Sequence, residues 1–244
     1  MQNDPTTPTP PEPDIEDDGF ETVYPPLTPD PEEDRQAVYA VFDTESNGLF
    51  RFKGDDGKPV PADAPGQPRL ASICIIMADE MGNPISKSTH YVRPDGWSML
   101  DQGTEASKVN GLTDEFLAEN GAPVSEILDM WNAFVNEGMV FAAFNAQHDM
   151  KMMRAELRRA GRDDRFEETA NTCLMRAMKA YKDDGMPVKG AGFVKLRVAC
   201  EFFGFGDFDW HQAEADTEAA LLILQRLIAD GNLIEPKVHY AKNR

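Results

Sequence analysis

Apolar residues in this chain come first as short blocks and later as helical stripes. Residues 37–42 form an apolar run ending in acid, and residues 70–78 form a second, rich in isoleucine. Runs of that length read as buried strands. A third strand is expected over residues 85–92, after the turn at Met81 to Pro84 and stopped by Arg93 and Pro94. Three strands in succession predict a meander. Between the first two, residues 52–68 carry Gly54, Gly57, Pro59, Pro65, Gly66 and Pro68, a turn-rich connection longer than a hairpin loop. It either overhangs a site or is a surface insertion without a role.

The period then changes. Ile127, Leu128, Trp131, Phe134 and Val135 have helical spacing, residues 139–144 read as a strand, and residues 150–160 read as a helix. A last edge strand is expected over residues 165–170, with helices over 173–181, 194–203 and 213–229. Strands first, then strands alternating with helices, predict the α/β class: a mixed five-stranded sheet flanked by helices. No internal repeat is present.

Composition changes the picture at the N-terminus. Residues 1–34 hold half of the eighteen prolines, many acids and no Lys or Arg. Such a segment buries too little apolar surface to offset its ordering entropy, so a disordered acidic tail is expected over 1–35, one domain over 36–232, and a C-terminal extension over 233–244. The net charge is −19, and the part beyond the tail is acidic as well. That argues against passive nucleic-acid binding through Lys and Arg, although carboxylates that gather divalent cations escape the objection. Cys74, Cys173 and Cys200 are odd in number and sit in apolar stretches, which predicts reduced thiols and a cytoplasmic protein. Neither a membrane span nor a signal peptide is read.

Asp43 and Glu45 close the first strand on the face shared with Tyr39 and Val41. Asp14 and Glu16 repeat the spacing in the tail, so the pair alone is weak. Asp149 opens a helix in one stripe with Met152, Met153 and Leu157, where an acid also favours the macrodipole. Asp216 stands in line with Ala220, Ile223, Leu224 and Leu227, and an acid facing a core needs a counterion. His211 precedes it by five residues; His90 and Asp95 repeat that spacing across a strand and a proline turn. The joint occurrence of four carboxylates and a histidine at element ends is the signal.

Taken in order, residues 43–48, 145–149 and 211–216 resemble the motifs of the DnaQ-like DEDDh exonucleases. That family includes the proofreading subunit of a bacterial replicative polymerase, RNase T and oligoribonuclease. The resemblance covers roughly residues 39–229. Weaker matches are residues 109–113, similar to the family's His-Gly-Ile-Thr segment, and Lys195, Leu196, Cys200 and Gly204, similar to its Ser-Leu helix ending in Tyr-Gly. Phe144 stands where many members have histidine, His148 where many have phenylalanine, and Asn171 where many have aspartate.

The resemblance implies a ribonuclease H-like fold and 3′-to-5′ exonuclease activity with two Mg²⁺ or Mn²⁺ ions. It implies Asp43 between the ions, Glu45 and Asp216 on the nucleophile side, Asp149 on the other ion, and His211 as general base, a side chain that titrates near neutral pH. It places Thr44, Ser46, Asn47 and Gly48 around the terminal nucleotide, with Asn145 as a further contact. The implied partners are 3′ ends of single-stranded DNA or RNA and a polymerase or other replication or repair protein. Phe50, Phe52, Phe144 and Trp210 are candidates to stack on unpaired bases, with core packing the commoner fate for Phe144. Two rival readings remain at this point. One is a catalytically silent adaptor of the same fold that keeps the metal ligands and docks a basic partner through its acidic tail, and the other a single-metal phosphoesterase on a different α/β scaffold. The tail either solubilises the chain or mimics nucleic acid, and neither sugar preference nor oligomeric state is encoded in motifs.

Overall fold

A computed structural model describes residues 35–238 apart from Phe166, Ala191 and Asp207. The expected acidic tail and the last residues of the C-terminal extension lie outside the described residues. Five strands form one sheet: β1 (Tyr39–Ser46), β2 (Leu70–Ala78), β3 (Pro84–Tyr91), β4 (Val140–Ala143) and β5 (Asn171–Cys173). The helices are α1 (Glu105–Asn110), α2 (Asp114–Asn120), α3 (Val124–Asn136), α4 (Ala146–Arg159), α5 (Leu174–Ala177), α6 (Leu196–Phe203) and α7 (Ala213–Ala229), and a 3₁₀ turn at Met178–Tyr181 follows α5.

The strand order is β3-β2-β1-β4-β5. The first three form the antiparallel meander, while β4 and β5 join β1 in parallel. Alternation along β1 divides the core. Ala40 and Phe42 face the layer of α3 and α4, where Phe42 meets Trp131 and Phe141 edge-on at centroid distances of 5.1 and 5.9 Å. Val41 faces the layer built from α5, α6 and α7. Strand β2 is covered on both faces, which is why its isoleucine run is unbroken by polar residues. At the edge, β3 is largely exposed, and its Lys87 pairs with Glu214 and Glu218 of α7, a charge that also discourages edge pairing.

The edge strand expected over 165–170 is not formed there. Arg165 takes φ 51°, Glu168 N donates to Arg165 O (3.1 Å) and the Thr169 hydroxyl donates to the same carbonyl (2.6 Å), so the segment turns. The fifth strand is β5, in register with β4 from Phe141 opposite Asn171. The helix expected over 173–181 is correspondingly shortened, because Cys173 belongs to the sheet. Helices α1 and α2 had no periodic signature. A satellite core of Ala71, Met99, Leu112 and Leu117 holds them, and the Thr113 hydroxyl caps α2 by accepting from Phe116 N (3.2 Å).

One buried ion network fixes the sheet to α4. Glu156, 1% exposed, accepts from Arg69 Nε (2.9 Å), Arg69 Nη2 (3.1 Å), Arg159 Nη1 (2.8 Å) and Leu70 N (3.1 Å). With both carboxylate oxygens engaged and two guanidinium partners, the buried charge is compensated. Beyond α7 the chain returns to the far sheet edge, where Lys237 exchanges main-chain hydrogen bonds with Asn171 (3.0 and 2.9 Å).

Candidate active site

The carboxylates meet at the end of β1. Side-chain parity puts Asp43 and Glu45 on the α7 side, and the first turn of α7 brings Asp216 to them. One oxygen from each of these three residues lies within 4.8 Å of the other two. Asp149 approaches from the first turn of α4, which starts at Ala146, ahead of the helix expected over residues 150–160. It is 3% exposed, and its Oδ1 accepts from Thr44 Oγ1 (2.7 Å) and Thr44 N (3.2 Å). Thr44 therefore points away from the α7 side, toward Asp149, and fixes that carboxylate.

Like charges this close cannot all ionise in a partly desolvated site without a counter-charge. Burial, reinforced by repulsion from Asp149, Glu45 and Asp216, holds Asp43 well above the usual carboxylate range. Burial pushes Glu45 up to about 8, with Asp216 and Asp149 adding to the rise and a hydrogen bond from Asn110 opposing it. Burial also pushes Asp216 up to about 6, against the main-chain bond and charge of His211. Asp149 is raised by burial, less so because His148 and the Thr44 bonds favour its charged form.

The donor set fits a hard divalent cation. All its atoms are carboxylate oxygens, the ligand type of Mg²⁺ and Mn²⁺. Moreover, Asp216 Oδ1 is buried with no hydrogen-bond partner. An orphaned carboxylate oxygen on a residue clustered with Asp43 and Glu45 is costly unless a cation satisfies it.

The remaining expected site residues divide in two. Asn47 is 1% exposed; its Oδ1 accepts from Arg69 N (2.8 Å) and its Nδ2 donates to Ser98 O (2.8 Å), so its side chain braces the loop rather than facing solvent. The Ser46 hydroxyl donates to Gly48 O (2.7 Å). A Cβ on Gly48 would fall 2.3 Å from Gln102 Oε1, so glycine permits the Gln102 loop to close on this turn. Asn145 is exposed at the head of α4. His211 is exposed, at φ 70°, and its main-chain N donates to Asp216 Oδ2 (3.3 Å). A non-glycine residue in that region is a strained position of the sort that clusters at functional sites. Phe144 is buried in the α5–α7 layer, as a packing residue.

Asn110 lies in the 109–113 segment that resembles the family's His-Gly-Ile-Thr, a match that assigns it no role. Its Nδ2 donates to Ser46 O (3.1 Å) and reaches Glu45 Oε2 (3.4 Å), and its Oδ1 accepts from Leu112 N (3.1 Å). It lines a cavity of about 60 Å³ beside Glu45 with Ser72, Thr89, Tyr91 and Gln212. The available signal was the Asn110-Gly111 turn, with Gly111 at φ 71° ending α1.

Comparison with known proteins agrees with this fold. The sequence model of the RNase_T family, described as exonuclease, matches residues 40–224. No curated relative matches the chain. Among solved structures, the zinc-bound E. coli exonuclease I complex with single-stranded DNA superposes with TM-score 0.63 at 17% identity, covering 80% of this chain and 41% of that one. E. coli exonuclease I with a dT13 oligonucleotide gives TM-score 0.62 at 18% identity, covering 79% and 41%. Exonuclease I from Methylocaldum szegediense gives 0.57 at 20% identity, covering 79% and 40%. The chain thus spans about two fifths of the length of these neighbours, and the shared part is the ribonuclease H-like sheet with its helices.

Proposed function

This chain belongs to the RNase_T exonuclease family, matched over residues 40–224, and on that premise we propose that it removes nucleoside monophosphates from the 3′ end of single-stranded DNA or RNA. The observation that carries the reading is the convergence of Asp43, Glu45 and Asp216 within 4.8 Å, with Asp216 Oδ1 buried and unpartnered. The intact set of four acids together with His211 argues against a silent adaptor of the same fold, which would also keep the metal ligands. Repulsion within the cluster costs stability when the acids ionise and is offset by protons or by bound cations.

In the proposed reaction, water attacks the terminal phosphodiester phosphorus, the bond to the 3′ oxygen of the preceding nucleotide breaks, and that oxygen takes a proton from solvent. Two divalent cations, Mg²⁺ or Mn²⁺, would supply the positive charge that makes water acidic and stabilises the leaving oxygen. Asp43, Glu45 and Asp216 would hold the cation on the nucleophile side, with Asp43 also reaching the second and Asp149 completing it. His211, on the exposed loop before α7, would accept the proton of the attacking water. Thr44 keeps Asp149 in place, and Asn110 does the same for Glu45. The turn from Ser46 to Gly48, braced from behind by Asn47, would present its outer side to the terminal sugar, with Asn145 at the rim.

Linear and circular single-stranded DNA separate this reading from endonucleolytic or phosphoesterase activity. With Mn²⁺ present the linear strand should be converted to mononucleotides and the circle left intact, with chelator abolishing the reaction. Cleavage of the circle would overturn the assignment, as would a linear strand that survives under conditions where the protein binds Mn²⁺.

A further inference from the structure

The connection between β1 and β2 is braced like a scaffold element. Lys53 and Pro59 form an antiparallel bridge, with Val60 N donating to Phe52 O (3.1 Å) and Gly54 N to Lys58 O (2.9 Å). At the base, buried Gln67 accepts from Arg51 N (2.9 Å) and donates to Arg51 O (2.8 Å) and Pro61 O (3.1 Å). Arg159 of α4, itself fixed by Glu156, donates to Ala62 O (2.8 Å). A segment ordered in advance loses little further entropy when a ligand rests on it.

What this hairpin presents is Phe52, 68% exposed, with Lys151 Nζ 4.3 Å from its ring centroid. Lys151 Nζ also lies 5.3 Å from the ring of Phe50, which is buried and meets His148 edge-on at 5.6 Å. The platform adjoins the carboxylate cluster through Phe50 and His148, whose charge favours the ionised form of Asp149. Lys151 follows Asp149 by two residues on α4, which places their Cα atoms roughly 5.5 Å apart by helix geometry. An exposed aromatic ring with a cation over one face, held by the braced hairpin near the proposed phosphodiester site, matches an unpaired base stacked on the exposed ring and its adjoining phosphate at the cation.

We propose that Phe52 and Lys151 form a stacking platform for an unpaired base of the strand whose 3′ end lies at the carboxylate cluster. This rests on the nuclease reading and adds a source of strand selectivity to it. Every base has a π-face, so the platform is indifferent to sequence. In a duplex those faces are already stacked on neighbouring bases, so paired substrates gain nothing from it.

The test compares KM and kcat of the full chain on a single-stranded oligonucleotide of about 12 nucleotides and on a dinucleotide, for wild type, Phe52→Ala, Phe52→Trp and Lys151→Ala. Loss of one base–aromatic stack corresponds to an increase in KM of about 5- to 160-fold. That increase is expected for Phe52→Ala on the long substrate, at least about fivefold larger than on the dinucleotide, with kcat changed less than KM and with Phe52→Trp restoring binding. Lys151→Ala should weaken the salt dependence of KM. If the wild-type chain degrades single strands and Phe52→Ala shifts KM by less than about twofold at both lengths, the platform is refuted and the nuclease reading stands. If the wild-type chain degrades neither substrate, the nuclease reading fails and the platform with it.

Discussion

Removing divalent cations should make this protein lose stability as pH rises through neutrality. Burial lifts Asp216 from its ordinary 3.8 to about 6 and Glu45 from 4.5 to about 8. A group with a folded-state pKa above its unfolded value contributes stability that is fully present below the unfolded pKa and is lost as pH rises through the folded pKa. The window is therefore about pH 3.8 to 6 for Asp216 and about pH 4.5 to 8 for Glu45. A tenfold change in proton affinity is worth about 1.4 kcal/mol, so Asp216 alone corresponds to about 3 kcal/mol. Because Glu45 shares its repulsion with Asp216, the total is on the order of 3 to 6 kcal/mol. At about 2 to 4 °C per kcal/mol for a domain of this size, Asp216 alone lowers Tm by about 6 to 12 °C between about pH 3.8 and 6, and Glu45 carries the fall on toward pH 8. Asp79 and Asp230 are shifted downward by hydrogen bonds, so their contribution is lost only below their unfolded pKa, outside the window. Cations compete with protons for the same oxygens, so stabilisation by Mg²⁺ or Mn²⁺ should grow with pH. Differential scanning calorimetry in chelator and in Mn²⁺ at several pH values reads both slopes, and Asp43→Asn should flatten the difference. A Tm in chelator that stays level or rises from about pH 5 to 8 would refute this electrostatic description of the site.

Thr44→Val removes the 2.7 Å bond to Asp149 while keeping the shape. Nuclease activity should fall about 10- to 100-fold, consistent with about 1.5 to 3 kcal/mol for a bond to a charged group, with the circular dichroism spectrum unchanged. Asn110→Ala removes a bond that favours ionised Glu45, so the acid limb of the pH–rate profile should move to higher pH, and a profile that does not move would remove Asn110 from the positioning of Glu45. Glu156→Gln leaves Arg69 and Arg159 without their anion, and urea denaturation should show a loss of about 3 to 5 kcal/mol; a loss under about 1 kcal/mol would mean the network is solvated.

How much of this was legible beforehand follows from the range over which each signal acts. Strand parity over Tyr39, Val41, Asp43 and Glu45, and the stripe from Asp216 to Leu227, are local periodicities, so the sequence places those acids on inward faces without tertiary knowledge. Thr44 and Asp149 are 105 residues apart, and Asn110 and Glu45 are 65 apart. Nothing local marks such pairs. Asn47 illustrates the same limit, since its place in the first motif said nothing about the two loops its side chain joins. Strand β5 escaped because three residues carry no period, while the acidic and arginine-rich stretch before it turns through local side-chain bonds. The role of the 52–68 connection was open in sequence because its order depends on Gln67 and Arg159, neither of which has a distinctive pattern.

The most direct measurement is degradation of 5′-labelled single-stranded DNA and RNA by the full chain with Mg²⁺ or Mn²⁺, beside a chelator control and Asp43→Ala. A ladder shortening one nucleotide at a time from the 3′ end, absent with chelator and in the variant, is the expected result and also reveals the preferred sugar. Immediate release of labelled mononucleotide, which signals digestion from the 5′ end, would contradict the assignment. So would an Asp43→Ala variant that retains wild-type activity.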